Sequence, residues 1–169
     1  MLQVMYEMLS EQSLTQLTTS TISGFLRTKK RQKSTNKVRI TSRSFARIDT
    51  DKLLATAQCD GETDDYVTKI EFDGVEFVDV ADPDGIKISG DLSVNQLDKD
   101  VTDVRVSCTC LDFHWTFAWY NSAEGTLIGD PPPPYTPSGN RPPRNPSKVP
   151  GLCKHLLKFS EVLKSEGLI

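Results

Sequence analysis

Four side chains in this sequence are of the kinds that ligate a borderline metal ion, and they fall into two tight pairs, Cys108-Thr109-Cys110 and Cys153-Lys154-His155. The first pair ends a stretch of β pattern, where residues i and i+2 project to the same side, so both sulfurs can reach one ion. The second pair could not converge from a helix interior, because i and i+2 are roughly 200° apart at 3.6 residues per turn. At a helix start the chain is only entering the spiral, and Pro150-Gly151 puts the pair there. Three thiolates and an imidazole satisfy tetrahedral zinc, and four protein ligands leave no position for a catalytic water. The expectation is therefore one structural Zn2+ on Cys108, Cys110, Cys153 and His155, contributing on the order of 10 kcal/mol to folding. Two plainer readings stand beside it: buried thiols with a capping histidine, or a disulfide from Cys108 or Cys110 to Cys153. A reducing compartment disfavours the disulfide. Cys59 stands alone and is left without a role.

The elements that must position these pairs are legible in part. From about Val38 to Val106 the pattern is β, with four to six short antiparallel strands expected. Val38 and Ile40 alternate with basic residues. Ile70 and Phe72 face Val75 and Phe77 across Asp73-Gly74, a dipeptide suited to a two-residue hairpin. Asp82-Pro83-Asp84-Gly85 signals a turn before Ile86 and Ile88, and a last strand runs Val101, Val104, Val106 toward Cys108. After Cys110, the residues Phe113, Trp115, Phe117 and Trp119 recur with a period of two, which predicts a strand with four aromatics on one face. Nine of the ten prolines lie between Pro131 and Pro150, so that stretch should be extended, polyproline-like chain. Leu152, Leu156, Phe159 and Leu163 then form the apolar stripe of one amphipathic helix that ends near Gly167.

The N-terminal portion is different in kind. Leu2, Met5, Met8, Leu9, Leu14 and Leu17 suggest a short amphipathic helix over residues 2–17, followed by a Ser/Thr stretch and the basic run Arg27, Lys29, Lys30, Arg31 and Lys33. Residues 1–39 carry seven Lys/Arg and two Asp/Glu, residues 40–107 seven and sixteen, and residues 108–169 six and five, within a net charge of −3. A basic arm on an acidic body is the result. The predicted organisation is an arm at 1–37, a β-rich domain at 38–103, and a zinc module at 104–169 that contains the proline-rich insertion 131–150 and the C-terminal helix. The fold class is α+β. No apolar run approaches the roughly 18 residues that would span a bilayer, so no membrane partner is expected. Met1 to Leu9 lacks the basic leader and apolar core of a secretion signal, so synthesis in the cytoplasm is expected.

Cys-x-Cys, a spacer, then Cys-x-His followed by Leu-Leu resembles the signature of the SWIM-type zinc finger. Cys108-Thr-Cys110 and Cys153-Lys-His155-Leu-Leu match all four ligand positions, over roughly Val104 to Leu163. The resemblance implies a β-β-α module that mediates DNA or protein interactions. The 42 residues between Cys110 and Cys153 depart from it, being a longer spacer than is typical, so the path of the insertion is open. The aromatic stretch, Pro131-Pro132-Pro133-Pro134-Tyr135 and Arg141-Pro142-Pro143-Arg144-Asn145-Pro146 ahead of Pro150-Gly151-Leu152 are similar to SWIM-like proteins of tailed bacteriophages. That resemblance implies a virion component whose basic arm meets neighbouring subunits.

Other features have plainer explanations to be weighed. The aromatic face could stack on nucleic-acid bases, but core packing is the expectation, with Trp115 and Trp119 covered by the helix or the proline loop. Pro132-Pro133-Pro134-Tyr135 fits a ligand of WW-type domains, against a loop folded on its own domain. The basic run Arg27 to Lys37 could neutralise phosphates or dock on an acidic protein surface. Catalysis finds no pattern: His114 is the only other histidine, and Asp64, Asp65, Asp82 and Asp84 lie on turn-like sequence. The expected function is a non-enzymatic, zinc-stabilised assembly protein, in the virion after synthesis in the host cytoplasm, whose partners are other protein subunits. The alternative is a cytoplasmic nucleic-acid-binding regulator.

Overall fold

The alternation Leu53, Ala55, Ala57, Cys59 organises the middle of the chain, because in a strand these residues share one face and all four are buried. The computed structural model describes residues 12–23, 35–61 and 64–169. Within them the chain is mixed α+β. Strands β1 (Arg39–Asp49), β2 (Lys52–Asp60), β3 (Asp65–Phe72) and β7 (Val104–Cys108) form an antiparallel sheet in the order β1-β2-β3-β7. Register carries the apolar face across it: Ala55 is opposite Ile70, and Ile70 is opposite Val106. The last pair of the β3–β7 ladder is Thr68 with Cys108, which sets the first ligand on the buried face.

Between β3 and β7 the chain makes a second, three-stranded sheet from β4 (Phe77–Val78), β5 (Ile86–Ser89) and β6 (Leu92–Val94), in the order β4-β6-β5. This corrects the hairpin expected across Asp73-Gly74. Gly74 does turn with positive φ, but the Asp73 amide donates to the Asp103 carbonyl and the Val75 amide to the Asp51 carbonyl. Phe77 therefore pairs with Val94 in the other sheet. The edge of β3 is left for β7, the strand that carries Cys108. The turn at Asp82 is as expected, with the Asp84 amide donating to the Asp82 carboxylate. Val101 lies before the last strand in an exposed turn, not within it.

The segment after Cys110 is helical, which corrects the predicted strand. It runs through α2 (Leu111–Phe113), a π-helical turn (His114–Ala118) and α3 (Trp119–Ala123). A period of two over seven residues also contains two pairs at i and i+4, which the helix separates onto opposite sides. Phe113 and Phe117 are buried, together with Thr116, Ala118 and Asn121, whereas Trp115 and Trp119 face outward. No Gly or Pro interrupts residues 111–123, and Cys110 caps the start by accepting the Phe113 amide. Asp112 sits in that first turn, where a negative charge favours a helix.

Residues 131–150 have no regular secondary structure. Helix α4 (Lys154–Ser165) buries Leu156, Phe159 and Leu163 completely, with Leu152 just ahead of it. Each such side chain is worth about 1.5–3 kcal/mol. Gly167, at φ +76°, closes the helix: the Leu168 amide donates to the Leu163 carbonyl at 3.1 Å and the Gly167 amide to Lys164 at 3.0 Å. Helix α1 (Leu14–Ser23) begins within the expected 2–17 helix and continues through the Ser/Thr stretch. The earlier part of that expected helix, and the basic run Arg27, Lys29, Lys30, Arg31 and Lys33, lie outside the described residues. Leu14 and Leu17 are buried in the same core as Phe72, Val106 and Phe159. Among the described residues no helix is long and apolar enough to cross a membrane.

Candidate metal centre

The two ligand pairs converge. One donor atom from each of Cys108, Cys110, Cys153 and His155 lies within 4.8 Å of all the others, and all four residues are buried. Cys108 ends β7, and Cys110 follows in extended backbone (φ −74°, ψ 147°) as the N-cap of α2. Cys153 is extended in the same way (φ −75°, ψ 171°) as the N-cap of α4, and His155 stands in that helix's first turn. The helix start thus does what an interior could not, turning both side chains inward.

His155 presents Nδ1 to the cluster, 3.8 Å from the Cys108 sulfur and 4.0 Å from the Cys153 sulfur. Metal–sulfur and metal–nitrogen bonds of about 2.3 and 2.0 Å in a tetrahedron imply donor separations of about 3.5–3.8 Å, so the cluster is close to ligating size. The ring is held from the side by Tyr66, with centroids 4.5 Å apart. Backbone amides reach the sulfurs: Cys110 N–H lies 3.5 Å from the Cys108 sulfur and Phe113 N–H 3.3 Å from the Cys110 sulfur. Such donors favour thiolates.

The ionisation of the three thiols is strongly divided. Cys110 is held far below the usual thiol range, first by hydrogen bonds from Cys108 and then from Cys153. Cys108 is pushed well up, chiefly because its proton is the one given to Cys110. Cys153 is pushed up by burial first and by its two neighbours second. Burial and the repulsion between neighbouring thiolates oppose ionisation of all three together; a divalent cation would let all three ionise. The donor set thus fits one metal ion, and the residues could hold it with no side chain added.

Several residues that position the centre carry no ligand chemistry, and of these the sequence marks only Gly151. Asn121, fully buried on α3, accepts the Gly151 amide at 2.7 Å and donates to the Gly151 carbonyl at 3.1 Å. Gly151 is two residues before Cys153, so this pair fixes the approach to the second half of the site. A Cβ at Gly151 would meet the Thr21 Oγ1 at 2.6 Å and Phe117 at 2.8 Å. The Thr21 hydroxyl accepts the Leu152 amide at 2.8 Å, which ties α1 to the same turn. In the proline-rich loop, Asn145 is buried and donates to the Thr116 carbonyl at 3.0 Å and the Val149 carbonyl at 2.7 Å. The only signal for these in the sequence was Pro150-Gly151 itself. Cys59 lies on the buried face of β2, with its sulfur 3.6 Å from the Thr68 hydroxyl, and is a core residue outside the cluster.

Comparison with protein-family models, with curated proteins and with solved structures finds no match to this chain.

Proposed function

We propose that the protein is a non-enzymatic, zinc-stabilised assembly component with a SWIM-like metal module, acting in a bacteriophage particle through contacts with other protein subunits. The observation that carries the reading is the donor set: three sulfurs and one ring nitrogen, all buried and within 4.8 Å of one another. A buried set of this composition suits Zn2+ and supplies four protein ligands, the count of a structural site. Cys108, Cys110, Cys153 and His155 would hold the ion, which would join the end of the β sheet to the start of α4. The order of the ligands along the chain, the Leu156-Leu157 pair after His155, and the proline-rich insertion support the SWIM-like and phage assignments. The basic run Arg27, Lys29, Lys30, Arg31 and Lys33 is assigned to partner contact, with protein rather than DNA as the main partner.

Two measurements test this. Elemental analysis of native protein should return about one zinc per chain; none would remove the metal module. Mass spectrometry of purified particles of the encoding phage should find the chain at fixed copy number. Absence from particles would end the virion reading, and a sequence-selective DNA complex at physiological salt would replace it with the nucleic-acid-binding alternative.

A further inference from the structure

Six large hydrophobic side chains are exposed among the described residues, and three of them, Leu111 (69%), Trp115 (36%) and Trp119 (39%), recur at i, i+4 and i+8 on one helical segment. Such spacing makes a continuous apolar stripe on the outer side of the 111–123 helix, opposite buried Phe113 and Phe117. Contiguous exposed patches of this kind mark interaction sites. Neither indole N–H has an acceptor among the described residues. The stripe is therefore an aromatic surface with unused donors, the chemistry that reads a polyproline helix.

This chain carries such a ligand beside it. Pro131, Pro133 and Pro134 are exposed and Pro132 half-buried; a proline run offers carbonyl acceptors and no backbone donors. Tyr135, at the end of the run, sits edge-on to Trp115 with centroids 6.1 Å apart, and the Arg144 guanidinium lies 5.6 Å over the Tyr135 ring. The loop thus borders its own stripe but leaves both tryptophans more than a third exposed.

We propose that the Leu111-Trp115-Trp119 stripe is a homodimer contact that receives the Pro131–Pro134 run of a second copy, with each copy's run on the other's stripe. A surface that holds a site and its complement side by side closes under a two-fold axis with both contacts made and nothing left over. Donors and acceptors favour stripe against loop, because indole N–H groups then meet the carbonyls of the run, whereas stripe against stripe would set donors against donors. The inference deepens the assembly reading by naming one contact, but the two can fail separately: absence from particles would leave the dimer standing, and a monomer would leave the particle test untouched.

The test uses the metal-loaded full chain. Sedimentation over a concentration series should show a monomer–dimer equilibrium. Trp115→Ala combined with Trp119→Ala, and separately Pro132→Ala with Pro133→Ala and Pro134→Ala, should each weaken dimerisation by about tenfold or more, as loss of central aromatic contacts does. Because these positions are exposed, unchanged melting of the tryptophan variant shows that folding is retained. Mixing the two variants should give heterodimers, since one intact stripe then meets one intact run; a loop that merely supported its own helix would give none. Trp115 and Trp119 are the only tryptophans, so intrinsic fluorescence reads this surface alone and should shift to the red on dilution. A wild-type monomer at all concentrations, or a dimer indifferent to the tryptophan substitutions, overturns the proposal. The second result would place self-association on another face.

Discussion

Asn121→Ala should weaken both the fold and the metal site although Asn121 touches no ligand. The side chain spans Gly151 with two hydrogen bonds, 2.7 Å from its amide and 3.1 Å to its carbonyl, and both residues are buried. Truncation leaves a backbone N–H and a C=O without partners in the interior, at about 1–3 kcal/mol each. Water entering the vacated space recovers part of this, so the net loss is about 2–5 kcal/mol. Gly151 leads directly into Cys153 and His155, so the loss falls on the state that binds metal. At 1.4 kcal/mol per tenfold, affinity should drop by between about 30-fold and a few thousand-fold. Urea unfolding gives the first quantity, and competition with a chromophoric chelator the second. Asn140→Ala, at an exposed position of the proline-rich loop, is the control and should stay within about 0.5 kcal/mol of wild type. If Asn121→Ala behaves like that control in both assays, the argument that this asparagine seats the second ligand pair is wrong.

Three further outcomes follow from the same structure. Chelation should unfold the region around α4 and the 111–123 helix, seen as lost helical circular dichroism, because about 10 kcal/mol of metal-dependent stability is removed. Metal uptake must displace the protons that Cys108 and Cys153 hold above the usual thiol range, so affinity should rise with pH by about two decades per unit and the metal's contribution should vanish as pH falls. Gly151→Ala places a methyl 2.6 Å from Thr21 Oγ1 and 2.8 Å from Phe117; the overpacking should cost about 1–3 kcal/mol in thermal melts. Leu17→Ala empties a fully buried position on α1 and should cost about 2–5 kcal/mol in urea, whereas a helix merely laid on the surface would lose far less.

The sequence by itself determined the four clustered side chains, the helix-start geometry of Cys153 and His155, the α4 stripe with its Gly167 stop, and the absence of helix and strand from the proline stretch. These are local matters: ligand type, spacing along a strand end or helix start, a 3.6-residue period and the missing amides of proline all act within a few residues. Tertiary structure decided what local pattern left degenerate. Phe113, Trp115, Phe117 and Trp119 satisfy a strand's period and a helix's i, i+4 pairs equally well, and only burial of Phe113 and Phe117 with the cap at Cys110 selects the helix. Asp73-Gly74 makes a turn in either topology; amide bonds to Asp103 and Asp51, 30 and 24 residues from their donors, choose the departure that leaves the β3 edge to β7. Asn121 and Asn145 read as ordinary polar residues until the fold buries them, because a buried amide's value lies in partners that the chain brings from elsewhere.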